Sequence, residues 1–533
     1  MSIPRGVSRR AFMRGCAGGA AGVWLAGCGQ RTPGRRPDQR AAVEPDMGRW
    51  AELSQLVLKR IRSAGAEYGD MRAVTTRTQR VSAQDRRISN VSESFDSGYG
   101  IRVLYHGAWG FAASDDFSPA AVEETADLAV EIARASASLV SERVKLAEEP
   151  PHVDRVRTHY LFDPFGVPLE EKTGLLLAVC EALHAQPLIA RSNASLWAQR
   201  DSKMFASTEG SHLEFELLAT GGGFSATAAS DGAFETRGFN LPYLRTGYEQ
   251  VRDADLAAAA PRVAAEAVEK LRAPTVTPGK YDLILDAEHL SLTIHESCGH
   301  PTELDRALGY EANYAGTSFL TPDKLGTFRY GSPAVSLVAN NLLDGGLAST
   351  GYDDDGVSCQ QWDIIREGIF SGYSTSREVA AQIGQDRSRG SNRADSWSSI
   401  PIVRISNVCL QPGNAKLDDL IADMERGLYI EGHGSFSIDQ KRYNFQFGGD
   451  AFWEIRDGKR AGMLKDVIYT GITPEFWGSC DAVCDRSQWR PFGFITCGKG
   501  QPGQSGWMTH AASTARFRNV NVIAGRSAGR DTV

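Results

Sequence analysis

The sequence predicts an α+β fold in two domains: an N-terminal α/β domain with an antiparallel sheet, then a large, mostly antiparallel, β-rich C-terminal domain. Three observations predict it. Helical periodicities bracket groups of strand-like alternation instead of alternating with single strands, which argues against βαβ crossovers. Glycine supplies 55 of 533 residues, above the usual share of about 7%, as many turns between short strands require. Ala273-Pro274-Thr275-Val276-Thr277-Pro278-Gly279 reads as a linker, and a chain of this length is expected to divide into more than one core. The expected segments are 1–27, a removable export signal; 28–48, a flexible tether; 49–273, the first domain; and 274–533, the second.

The export signal rests on two patterns in order. Ser8-Arg9-Arg10-Ala11-Phe12-Met13 resembles a twin-arginine export motif, and Leu25-Ala26-Gly27-Cys28 resembles a lipobox, whose cysteine is acylated and becomes the new N-terminus. The expectation is export by the twin-arginine route and a lipid anchor at Cys28, on the outward side of a bacterial envelope membrane. Residues 29–48 are rich in Pro, Gly and Arg without periodicity, as a tether would be.

In the first domain, Leu53, Leu56, Val57, Ile61 and Ala64 recur at helical spacing. Strands are expected at 71–81, 87–92, 101–105 and 109–113, the last pair joined by a His106-Gly107 turn. Ser118-Pro119 opens a helix to about residue 137. After an irregular crossing come a helix over 169–185, strands at 188–199, 203–208, 212–220 and 224–236, and a helix over 253–271. Gly221-Gly222-Gly223 fits a hairpin or a bulge. In the second domain, strands are expected at 281–285, 335–339, 402–408, 445–455 and 463–469, with a helix over 417–426.

The formal charge is −7, and removing residues 1–27 leaves 54 basic against 65 acidic side chains, or −11. No basic stripe is interleaved with aromatics, which argues against nucleic acid as a partner. Beyond Cys28 seven cysteines are scattered, an odd number that makes no disulfide framework. Cys480 and Cys484 have the spacing of a local bridge or a ligand pair.

The strongest chemical signal is His295-Glu296-Ser297-Cys298-Gly299-His300. Two imidazoles and a carboxylate are the parts of a hydrolytic zinc site: the imidazoles hold the metal and the glutamate handles protons. The spacing, however, is H-E-x-x-x-H. On a regular α-helix residues i and i+5 lie about 140° apart, so both rings reach one ion only if the segment carries a π-type turn or breaks at Gly299.

HESCGHPTELD resembles the motif of the TldD/PmbA metallopeptidases, and further blocks follow in family order: 98–116, Asp353-Asp354-Asp355-Gly356-Val357, PIVRISNVCLQPG at 401–413, 450–471 and TCGKGQPGQSGW at 496–507. The resemblance implies one Zn2+ held by His295, His300 and Cys497, with Glu296 as general base on zinc-bound water. It implies peptide substrates, unfolded or modified, and a homodimer or a heterodimer with a second TldD/PmbA subunit. Lys499 is a candidate for keeping Cys497 ionised, and Glu303 or Asp305 for steadying a ligand imidazole. The rival expectation is a lipid-anchored, non-catalytic scaffold or partner subunit.

Overall fold

The computed structural model describes residues 45–525; Cys28 and the predicted export signal lie outside them. The first half of the described chain is organised by one seven-stranded sheet. Its strands are β1 (Tyr68–Gln84), β2 (Arg87–Tyr105), β3 (Ala108–Ser114), β4 (Val153–Arg157), β5 (Ile189–Ser207), β6 (His212–Ser230) and β7 (Ala233–Leu244). They run in the order β3-β2-β1-β5-β6-β4, with β7 also paired to β6, and every pairing except β4 with β6 is antiparallel. Helices α1 (Met47–Ser63) and α2 (Pro119–Ala137) pack against one part of this sheet, burying Val57, Ile61, Val122 and Ala126 with Met71 and Ile101. Helices α3 (Leu169–His184) and α4 (Leu256–Arg272) cover another part, burying Leu176, Leu183, Val263 and Val268 with Leu196 and Phe224.

Helix starts follow their capping chemistry. Ser118 Oγ accepts from Ala121 N, with Pro119 in the first turn, so α2 begins where the sequence places it. α4 starts later than expected: Asp255 sits at φ 40° and caps Ala258 N, cutting off a short helix at Glu249–Asp253.

The strands are longer than local alternation suggests. The stretches expected at 87–92 and 101–105 are one strand, β2, and those at 188–199 and 203–208 are one strand, β5. Pairing with β1 carries the ladder through the polar residues between, where Thr76 Oγ1 donates to Asp201 Oδ1 at 2.9 Å. Gly221–Gly223 does not end a strand; β6 runs through it, with a register shift against β7 between Thr220 and Gly222. A Cβ on Gly222 would lie 2.2 Å from Ser195 O, so only glycine admits this approach.

The second half holds a six-stranded and a nine-stranded sheet, both mixed but mainly antiparallel. Strand β8 (Gly279–Leu285) lies inside the nine-stranded sheet, between Arg426–Glu431 and Ala515–Ala524. The span expected as one strand at 445–455 is two, Asn444–Gly448 and Ala451–Arg456. The helix expected over 417–426 stops at Ala422, because Arg426 already pairs in the next strand. Of the strand expected at 402–408 only Ile402–Val403 remains, with Val408–Leu410 pairing separately. Arg490–Lys499 is an edge strand of the six-stranded sheet, beside Gln504–Ala512.

The two halves are joined by the Asp353-Asp354-Asp355 block. Arg102 of β2 donates to Asp70 Oδ2 at 2.6 Å and Asp355 Oδ1 at 2.9 Å, and Lys203 of β5 reaches Asp354 Oδ1 at 2.7 Å.

Candidate metal centre

β8 ends at Leu285, and the carboxylate of the next residue, Asp286, caps the helix Ala287–Ile294 (α5) by accepting from His289 N. The helix then widens into a π-turn over His295–Gly299, closed by a hydrogen bond from His300 N to His295 O. Of the two departures that the spacing permits, the structure shows the π-turn. That i-to-i+5 bond puts the two rings on one side, with centroids 5.0 Å apart and planes at 80°. Gly299 has no room for a side chain, since a Cβ there would lie 2.8 Å from Ile405 Cγ2.

Cys497 arrives on the edge strand Arg490–Lys499, where the pairing register shifts between Phe494 and Cys497. Ligand atoms of His295, His300 and Cys497 all lie within 4.8 Å of one another, and all three residues are buried. Cys497 Sγ is 3.5 Å from His300 Nε2.

Each imidazole is oriented by a partner on its other nitrogen. His300 Nδ1 meets Glu303 Oε2 at 2.9 Å, and a carboxylate accepts, so His300 Nε2 keeps its lone pair. His295 Nδ1 is 2.9 Å from His510 Nε2, and His510 Nδ1 is 3.2 Å from Val408 O. Val408 presents both its O, at 3.2 Å, and its N–H, at 3.3 Å, to His510 Nδ1. The proton order in which His510 donates to Val408 O and accepts from His295 Nδ1 is the one that leaves His295 Nε2 free as well. Burial pushes the pKa of both His295 and His300 well below the ordinary value, and neighbouring positive groups push the same way. The rings are therefore neutral, as metal ligands must be. Phe494 stacks on His295 at 4.7 Å.

The thiol is in tension. Burial pushes the Cys497 pKa up to about 12, while the adjacent Arg404 pulls it down. Arg404 Nη2 lies 3.1 Å from Sγ and 2.6 Å from the Cys497 carbonyl oxygen. Two aligned imidazole lone pairs and a sulfur facing a guanidinium suit a borderline-soft dication such as Zn2+. The residues present fit that ion.

Glu296 is buried beside this group. Burial raises its pKa and Arg442 opposes the rise, donating from Nη1 to Oε2 at 2.5 Å. Among the described residues, Glu296 Oε1 has no hydrogen-bond partner.

Of the candidates around the motif, Glu303 is the residue that steadies a ligand ring. Asp305 instead takes Lys499 Nζ at 2.6 Å, and Glu303 Oε1 lies 3.2 Å from the same ammonium. Lys499 is fully buried and serves these carboxylates; the cation on the sulfur is Arg404. Cys298 packs in the core, with Sγ 2.8 Å from Tyr330 Oη. Cys480 and Cys484 are free thiols in separate hydrophobic clusters. His510, Arg404 and Arg442 carry no local signal in the sequence. Each is a single polar residue on a segment remote from the motif, placed by sheet pairing or loop packing.

A buried His-His-Cys triad beside a glutamate is a group that could hold a metal ion. Comparison with known proteins assigns the family: the chain belongs to the PmbA/TldD metallopeptidases. It matches PmbA/TldA metallopeptidase domain 1 over residues 69–133, the central domain over 162–273 and the C-terminal domain over 278–523. The first two segments both contribute strands to the single seven-stranded sheet. A protein of Methanothermobacter thermautotrophicus named "Metalloprotease" is 30% identical, the match covering 86% of this chain and 95% of that one. A "Zinc metalloprotease TldD homolog" of Saccharolobus solfataricus is 26% identical over 78% of this chain and 88% of its own. Among solved structures, one titled TldE from Thermococcus kodakarensis superposes with a TM-score of 0.65 at 17% identity, covering 89% of this chain and 100% of that one. A putative modulator of a DNA gyrase from Thermotoga maritima gives 0.70 at 17%, with the same coverage. These two likenesses concern the fold.

Proposed function

We propose that this chain is a zinc-dependent metallopeptidase acting on unfolded or modified peptides. The observation that carries the reading is the convergence of His295, His300 and Cys497 within 4.8 Å, next to the Glu296 carboxylate. These three residues would hold the ion, which when bound supplies Lewis acidity toward a substrate carbonyl and toward water. Glu296 Oε1 takes the proton of the attacking water and returns it to the departing amine. Arg442 fixes the other carboxylate oxygen, and the net effect of burial and Arg442 leaves the pKa raised, as a base that must also act as an acid requires. Glu303 and His510 hold the rings in the ligating tautomer.

Extended peptide is the substrate form that the sheet favours. Cys497 lies on an edge strand, so an unfolded chain adding to that edge runs past the ligands, bound mainly through its backbone. The match to a relative named as a zinc enzyme supports zinc, and assembly with a second subunit of the family rests on the family membership. The Arg9-Arg10 and Leu25–Cys28 patterns support export and a lipid anchor at Cys28; lipid-precursor labelling that persists in Cys28→Ala would remove the anchor.

The test is zinc content together with hydrolysis of an unstructured peptide, for wild type and Glu296→Ala. The reading requires equal zinc in both proteins and hydrolysis in wild type alone. Equal hydrolysis would remove Glu296 from the chemistry.

A further inference from the structure

A cavity of about 340 Å³ lies between the seven-stranded sheet and the second half of the chain, and its charge does not balance. Its cations, Arg72, Lys203, Arg245, Arg393 and Arg404, outnumber by one its carboxylates, Asp96, Asp201, Asp354 and Asp395, of which Asp96 accepts from Trp397 Nε1 and Asp395 from Ser505 N. Two of the cations share one acid: Lys203 Nζ is 2.7 Å from Asp354 Oδ1, and Arg72 Nη1 is 3.5 Å from Oδ2. Among the described residues, the other three form no ion pair with any carboxylate. Some of their N–H groups go to main-chain oxygens, while Arg245 Nη1, Arg393 Nε and Arg404 Nε are buried without a hydrogen-bond partner among the described residues. Arg245 Nε meets Leu347 O at 2.9 Å, Arg393 Nη2 meets Ile405 O at 2.7 Å, and Arg404 Nη1 meets Gln504 O at 3.2 Å. Carbonyls satisfy these donors without supplying counter-charge.

The three guanidiniums also act on one another. After burial, Arg404 and Arg245 are the main causes that bring the Arg393 pKa down to about 10. Asp201, the acid acting most on Arg245, spends its Oδ1 on Thr76 Oγ1 and Gln199 Nε2, both at 2.9 Å. Half-buried positive charge without an opposite partner is costly, and an anionic ligand removes that cost.

The other walls say what kind of anion. Trp397, Trp507, Val74 and Leu217 give the cavity an apolar lining, suited to an organic body with one charged end. Arg404 belongs to both sites, because it lines the cavity while its Nη2 rests on Cys497 Sγ. We propose that this cavity receives the C-terminal carboxylate of a peptide, through Arg245, Arg393 and Arg404, which makes the protein selective for free chain ends. The inference rests on the peptidase reading for its ligand, but its test does not depend on turnover.

The test measures binding to the full chain carrying Glu296→Gln, with one unstructured hexapeptide supplied as the free acid and as the C-terminal amide. The acid should bind roughly tenfold tighter or more, the usual worth of a hydrogen-bonded charge. Arg245→Gln should remove that preference, and Asp201→Asn should enlarge it, because it deletes a competing acid yet keeps the acceptor oxygen. If Arg245→Gln does not fold, Asp201→Asn decides alone. Equal binding of acid and amide overturns the inference. So does glutarate binding that leaves the peptide unaffected, which would assign the cavity to a free small carboxylate. Wild-type cleavage of both peptides alongside equal binding would sink the inference and spare the peptidase. A binding preference without any cleavage would do the reverse.

Discussion

Two buried polar clusters in this protein treat their lone pairs in opposite ways. In the clasp at Asp353–Asp355 every carboxylate oxygen is met. Asp353 accepts from Asp355 N, Val357 N and Asn392 N; Asp354 from Lys203 Nζ and Ala394 N; Asp355 from Arg102 Nη2, Asn392 Nδ2 and Arg377 N. Around His295 and His300 the outer nitrogens are met and the inner ones converge without donors. A satisfied network holds two halves together; a network satisfied only at its periphery is a receptor. Both clusters come from short acidic or histidine-containing motifs, so composition does not separate them. What separates them is whether backbone N–H groups reach the side chains.

This contrast breaks if changes in either cluster have the same consequence. The largest effect is expected on catalysis: Glu296→Gln should lower peptide hydrolysis by roughly 10²–10⁴-fold, with the melting curve and zinc content unchanged. Asp354→Asn, in the clasp, should do the reverse. Leaving Lys203 and Arg72 without their shared partner should cost about 3–5 kcal/mol, read as a lower denaturant midpoint, with zinc retained by the folded protein. The pH dependence carries a sign. Burial raises the Asp354 pKa, but Lys203 and Arg72 overcome this and hold it well below the carboxylate range. Its contribution is therefore present above the unfolded value of about 3.9 and fades as pH falls below it. The stability gap between wild type and Asp354→Asn should close in acid; a gap that widens there would contradict the pairing.

Smaller effects sharpen the boundary. Glu303→Gln should weaken zinc binding by roughly 10–100-fold, the usual worth of a group that orients a ligand imidazole, as measured by competition with a chelator. Gly299→Ala should destabilise by about 1–3 kcal/mol through overpacking, because Ile405 occupies the space. Its zinc loss should scale with distortion of the π-turn, which ultraviolet absorption of a cobalt-substituted protein would report.

The sequence disclosed the local features and hid the convergent ones. Ser118-Pro119 marks the start of α2 because capping is a property of a few adjacent residues. The five-residue step from His295 to His300 announces a departure from regular helix, a π-turn or a break at Gly299, for the same reason, and the structure has the π-turn. Strand length was legible only in part: β5 continues through Arg200, Asp201 and Ser202 because β1 pairs with it, a fact absent from its own alternation. At the centre, Cys497 was reached through the family resemblance, and no local rule prefers it to six other cysteines. His510, Arg404 and Arg442 were not legible, since each acts through one hydrogen bond to a residue far away in the chain. Position alone, two residues on from Cys497, leaves Lys499 either a cation for the sulfur or a solvated turn lysine. In the strand it instead lies buried against Asp305 and Glu303.

The central claim is that two imidazoles and one thiolate converge on a single zinc. X-ray absorption at the zinc edge, on the purified full chain, tests it most directly. The account predicts one sulfur neighbour at about 2.3 Å and two imidazole nitrogens at about 2.0–2.1 Å, with the sulfur lost in Cys497→Ala. A first shell without sulfur, or one that Cys497→Ala leaves unchanged, would contradict it.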